Sequence, residues 1–158
     1  MFLLSIKNIF LIIFFVFLQL FFPSLFSFYG FYVSFDFILI LLTIFVFQYS
    51  THKIIYLSFL LGLVPDYIYS VHQIGLLSFL TGFSIYLIGL IKQYQFIWNL
   101  FTKLIVLFFI SFLIGLLNYF LIFEDFYFVI FYISMINSLI YITIIFLINK
   151  YFYNYKLI

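Results

Sequence analysis

Apolar residues fill this chain in long runs broken only by short polar clusters, and the runs have neither the alternation of a half-buried strand nor the single stripe of a surface helix. Runs such as Ile9 to Leu18 and Ile136 to Ile148 are apolar nearly all round. Transmembrane strands need apolar and polar residues to alternate, so helices remain. A hydrocarbon slab about 30 Å thick is crossed by roughly 20 apolar residues in an α-helix. Cut at its polar clusters, the chain divides into six such spans, at 9–29, 34–50, 54–71, 74–91, 97–121 and 126–149, joined by short loops. The expected fold class is therefore all-α integral membrane, a six-helix polytopic bundle forming one transmembrane domain over 1–158. Pro65 interrupts the third span. A helix ending before it, from Ile54 to Val64, would reach only about 16 Å, so a kinked or broken span is expected, turning near Val71 to Ile74. A re-entrant hairpin over 54–91 would leave every later orientation unchanged.

Composition strengthens this reading. The chain is 70% hydrophobic and only 6% charged, a balance that no water-soluble core of 158 residues could bury. Ala and Arg are absent while Phe, Ile and Tyr abound, as an AT-rich bacterial genome would favour, so part of the aromatic excess is mutational bias. With no Cys, disulfides, thiolate metal sites and cysteine nucleophiles are excluded. A formal charge of +2 is too small for a nucleic-acid surface. Lys7 precedes an apolar run as in a signal peptide, but no small-residue cleavage site ends that run, which reads as a retained span.

Charge fixes the expected orientation. Lys7, Lys53, Lys92, Lys103, Lys150 and Lys156 all fall on one side of a six-span arrangement. The positive-inside rule makes that side cytoplasmic, with both termini inside. Lys103 lies within the fifth span near its cytoplasmic end, where its stem can snorkel. Asp36, Asp66, Glu124 and Asp125 fall near the opposite, external ends.

Small and polar residues mark the faces on which helices pack in lipid. In the fourth span Gly75, Ser78, Gly82 and Gly89 recur along one stripe, expected to be a close packing face. The fifth span carries Ser111, Gly115 and Asn118, and the sixth Ser134, Asn137 and Tyr141. The first span has only Gln19 and Pro23 among Phe, Leu and Ile, which implies more lipid contact. Asp36 and the Glu124–Asp125 pair start helices, where a carboxylate caps favourably. Asp66 sits in the last third of the third span, where the helix dipole opposes its charge. It therefore needs a partner, a water, or the backbone groups freed by Pro65. His52 is a solvated loop residue. His72 with Asp66 gives two metal ligands without a third, so neither a metal nor a cofactor is expected.

The segment Gly62-Leu-Val-Pro65-Asp66-Tyr, then Gly75, Ser78-Phe-Leu-Thr-Gly82 and Tyr86-Leu-Ile-Gly89, resembles the MreD family of rod shape-determining proteins. Asp36-Phe-Ile-Leu-Ile-Leu resembles the family's external Pro-Asp entry to its second helix, with Phe35 in place of the proline. Ser134-Met-Ile-Asn137 and the Asn149-Lys150 tail resemble its polar last-span face and basic end. The resemblance implies a non-catalytic subunit of the inner (cytoplasmic) membrane that binds an MreC-like protein. Through it come the MreB filament, the RodA glycosyltransferase and a class B penicillin-binding transpeptidase of lateral peptidoglycan synthesis. It also implies a fold similar to the substrate-binding subunits of energy-coupling-factor transporters. Asp66, Gly62, Pro65, Gly75, Ser78, Gly82, Gly89 and Asn137 become the candidate packing or partner-contact residues. Two other functions compete. A vitamin transporter's binding subunit shares the size and span count but commonly docks through small alanines, which are absent here. A lipid-modifying enzyme would need a catalytic cluster that Asp66 and His72 do not complete.

Overall fold

The computed structural model describes residues 6–21, 24–28, 31–34, 36–69, 75–94, 96–122 and 127–152. Six helices run along the chain: α1 (Ile6–Phe21), α2 (Phe37–Gln48), α3 (Thr51–Tyr69), α4 (Leu76–Gln93), α5 (Leu100–Ile122) and α6 (Tyr127–Phe152). Three segments, Leu76–Gln93, Leu100–Phe120 and Phe128–Lys150, are long and apolar enough to cross a membrane. By length and composition this is a membrane protein. Its outer surface agrees, since Phe10, Phe17, Phe79, Phe109, Phe128 and Leu139 are exposed, an apolar coat suited to lipid and not to water.

The first expected span is longer than the helix found. α1 ends at Phe21, and the chain instead forms an antiparallel hairpin of β1 (Ser24–Phe28) and β2 (Phe31–Ser34) before α2. The local cause is Pro23, which disfavours helical geometry at the residue before it and cannot donate into a continuing helix. Ser24 pairs with Ser34 and Phe28 with Phe31, with a register irregularity between Ser24 and Phe26. A two-stranded hairpin leaves main-chain groups open on both edges, which lipid could not satisfy. The third span also differs. α3 continues through Pro65 to Tyr69 without breaking, and the turn expected over 71–74 lies outside the described residues.

α2 is the centre of the molecule. Ile38, Leu39, Ile40, Leu41, Leu42, Thr43, Phe45 and Val46 are all buried, so this helix is enclosed on every side. It packs against α1, α3, α4 and α6. Such a helix is apolar all round because no side of it meets solvent. At 12 residues it extends only about 18 Å, so its end groups need partners within the protein.

Contacts along the helices define their directions. α1 and α2 are antiparallel, with Gln19 beside Phe37 at one end and Asn8 beside Tyr49 at the other. α3 and α4 are antiparallel too, since Asp66 meets Ser78, Ser58 meets Thr81, and Thr51 lies against Gly89. The end holding Tyr49, Thr51 and Gly89 also carries Lys53 and Lys92, and Lys7 adjoins Asn8 there. Asp36 and Asp66 lie toward the other end.

Candidate functional site

Two features stand out, a joint between α3 and α4 and a polar cavity beside it. The joint is centred on Asp66, only 2% exposed. Its Oδ1 accepts from the Leu77 amide at 2.9 Å. Oδ2 accepts from the amides of Gly75 at 3.1 Å and Ser78 at 3.0 Å, and from the Ser78 hydroxyl. These amides are the unsatisfied first donors of α4. The α4 N-cap residue is Gly75, which has no side chain to offer, so a carboxylate from the preceding helix supplies the cap. The dipole of α3 opposes Asp66, but that of α4 favours it. Seen from α3 alone the residue looks ill placed, and only the start of α4 supplies its partners.

The glycines divide into distinct kinds. A Cβ at Gly62 would stand 2.5 Å from the Ser78 Cα and collide with the Thr81 hydroxyl. At Gly89 it would collide with the Thr51 methyl. These two positions let the α3 and α4 backbones approach closely. The expectation of close packing at Gly75 and Gly82 is corrected. A Cβ at Gly82 would find only the Ser58 hydroxyl at 3.7 Å, an ordinary contact, and one at Gly75 would meet nothing within 4 Å. Gly75 matters through its left-handed φ of 101°, which side chains disfavour. Pro65 is tolerated within α3 and contributes its ring to the cavity wall.

Polar side chains missed in sequence cap the central helix. Asp36 caps α2 from its own N-cap position, accepting from Leu39 at 2.9 Å, as its place at a helix start implied. Gln19, 3% exposed, accepts from the Phe37 amide at 2.9 Å. At the opposite end the Lys92 ammonium donates to the carbonyls of Val46 at 2.8 Å and Tyr49 at 2.6 Å, where the helix dipole favours a cation. Asn8 donates to the Tyr49 hydroxyl at 2.8 Å. A signal was present for α1, because Asn8 and Gln19 are spaced by three helical turns and therefore share one face. That face turns inward, while Ile13, Phe14 and Phe17 face out.

The cavity, about 80 Å³, is enclosed by the Asp36 end of the bundle. Gln19, Asp36, Pro65, Asn118, Asn137 and Tyr141 are among its walls and, with Leu39 of α2 and Thr81 of α4, all six helices contribute. Asn137 donates to the Tyr119 hydroxyl at 2.8 Å, and Tyr141 is hydrogen-bonded to Thr43 at 2.6 Å. Gly115 of α5 faces Ser134 of α6, whose Cβ would lie 3.5 Å from an added Cβ, an ordinary contact. His52 is exposed. His72, Glu124 and Asp125 lie outside the described residues. No family model matches this chain, and neither does any curated protein or solved structure.

Proposed function

We propose that this protein is a non-catalytic assembly subunit of a bacterial inner membrane, of the MreD type, which binds an MreC-like partner and supports lateral peptidoglycan synthesis. The observation that carries the proposal is the use made of the Gly62–Gly89 segment. The residues on which the MreD resemblance rests form one joint, with Gly62 against Ser78, Gly89 against Thr51, and Asp66 saturated by donors from α4. A carboxylate so committed serves architecture and not proton transfer. In this reading the chain passes six times between the two faces of the membrane, both termini are cytoplasmic, and the lysine-bearing end faces the cytoplasm. The working surfaces are the outer helix faces and the external hairpin.

A vitamin-transporter binding subunit fits less well. Pockets for drug-sized ligands occupy roughly 300–1,000 Å³, whereas this cavity holds about 80 Å³. The decisive experiment is co-expression of the tagged protein with the MreC-like subunit of its own organism. Co-purification in mild detergent, together with rounding of rod cells when the protein is depleted, is the expected result. Normal rods on depletion and no recovered partner would overturn the proposal.

A further inference from the structure

We propose that the cavity at the Asp36 end is a binding site for one small monovalent cation. A wall that has committed its protons presents lone pairs to whatever occupies the cavity.

Three wall hydroxyls donate back to the main chain. Thr81 donates to the carbonyls of Ser78 at 2.9 Å and Ser58 at 3.1 Å, Ser111 to Phe108 at 2.9 Å, and Ser138 to Met135 at 2.8 Å. The fourth is Tyr141. Thr43 has one proton and donates it to the Leu39 carbonyl at 2.7 Å, so in the 2.6 Å contact between Thr43 and Tyr141 the tyrosine is the donor. These four of the five wall hydroxyls thus keep lone pairs, not protons, for the remaining space. To these are added the Asn118 Oδ1, which is buried with no hydrogen-bond partner among the described residues, and the carboxylate of Asp36. Among the described residues no Lys, Arg or His belongs to the wall. A fifth wall hydroxyl, that of Tyr119, accepts from Asn137, and neutral O–H and N–H donors cannot balance a full negative charge.

A carboxylate with no cationic side chain beside it among the described residues is costly where protein shields it from water, and acids within membrane proteins ordinarily mark ion paths or ligand sites. Its natural occupant carries one positive charge and either accepts oxygen ligands or offers N–H donors. A single carboxylate matches a charge of +1, whereas divalent sites usually assemble several carboxylates. The volume sets the size. Since a water needs only about 10–15 Å³ by the same measure, a cavity of about 80 Å³ has room for a partly hydrated alkali-metal ion, ammonium or methylammonium. The inference is independent of the assembly role proposed above.

The test uses the purified protein in nanodiscs, with N-methylglucamine chloride holding the ionic strength constant. Sodium, potassium, ammonium and methylammonium chlorides are each titrated while the thermal unfolding midpoint is followed. A saturable rise with one or more of these ions is expected. A response confined to the alkali ions identifies a metal ion as the occupant, and one confined to the ammonium ions identifies an amine. Asp36→Asn should abolish the rise, and Asn118→Leu, which replaces an acceptor by an apolar group, should weaken the apparent affinity at least tenfold. Lys92→Met, at the other end of α2, should lower the midpoint in all buffers yet keep the rise. Should Asp36→Asn not fold, Asn118→Leu and Ser138→Ala carry the test. No difference between the small cations and N-methylglucamine in the wild type overturns the proposal. So does full cation affinity in every folded wall variant.

Discussion

Replacing Asp66 tests the central structural claim, that a side chain of α3 holds the start of α4. In Asp66→Asn the amide oxygen can occupy only one of the two carboxylate positions. Placed at Oδ2 it keeps the bonds from Gly75 and Ser78, but the new NH2 then faces the Leu77 amide, donor against donor. One charge-assisted hydrogen bond is lost outright, about 1.5–3 kcal/mol, and the others lose charge assistance. The expected cost is about 2–3 kcal/mol. Asp66→Ala removes every acceptor and leaves buried donors of the first turn of α4 unpaired, for about 3–5 kcal/mol. Unfolding in mixed micelles at increasing denaturing-detergent fraction measures both, with α4 amide exchange as a local readout. The order wild type, Asn, Ala should appear in both measurements, with protection lost first at Leu77 and Ser78. Two variants within about 0.5 kcal/mol of the wild type, a difference typical of surface sites, and unaltered protection there, would refute the trans-capping account.

The glycines should separate by mechanism. Gly62→Ala and Gly89→Ala overpack the α3–α4 contact and should each cost about 1–3 kcal/mol, whereas Gly82→Ala should be neutral or slightly stabilising because its Cβ fits and Ala favours a helix. Gly75→Ala should cost about 1–2 kcal/mol through its left-handed backbone alone, all by the same unfolding assay. Lys92→Met removes the cation from the carbonyls of Val46 and Tyr49 and should lower stability by about 1–3 kcal/mol, with Lys92→Arg restoring part of it. Dual reporter fusions after Phe28 and Gly75 should report the external side, and those after Ser50 and Tyr94 the cytoplasm. A cytoplasmic signal at Phe28 would refute a crossing by α1.

Much of this molecule is written locally. Continuous apolar runs, with polar clusters between them, determine that there are six helices and roughly where they lie, because main-chain groups in an apolar setting have little alternative to intrahelical bonding. Lysine spacing places the basic residues at one end by counting alone. Asp36 could be assigned as a cap because its partner, Leu39, lies three residues away. What sequence could not supply was every relation between residues distant along the chain. Asp66 looked ill placed because its partner helix begins nine residues later, beyond a turn whose geometry local pattern does not encode. Gly75, Gly82 and Gly89 share a stripe and were indistinguishable in sequence, since the face of a helix says nothing of how near its neighbour comes. That Thr51 crowds Gly89 while Ser58 leaves room at Gly82 is decided by the crossing of α3 and α4. Lys92 reads as an ordinary positive-inside residue, yet it closes the end of a helix more than forty residues away. Helix formation depends on neighbours in sequence, whereas capping in trans, close approach and the cavity depend on neighbours in space, which only tertiary packing selects.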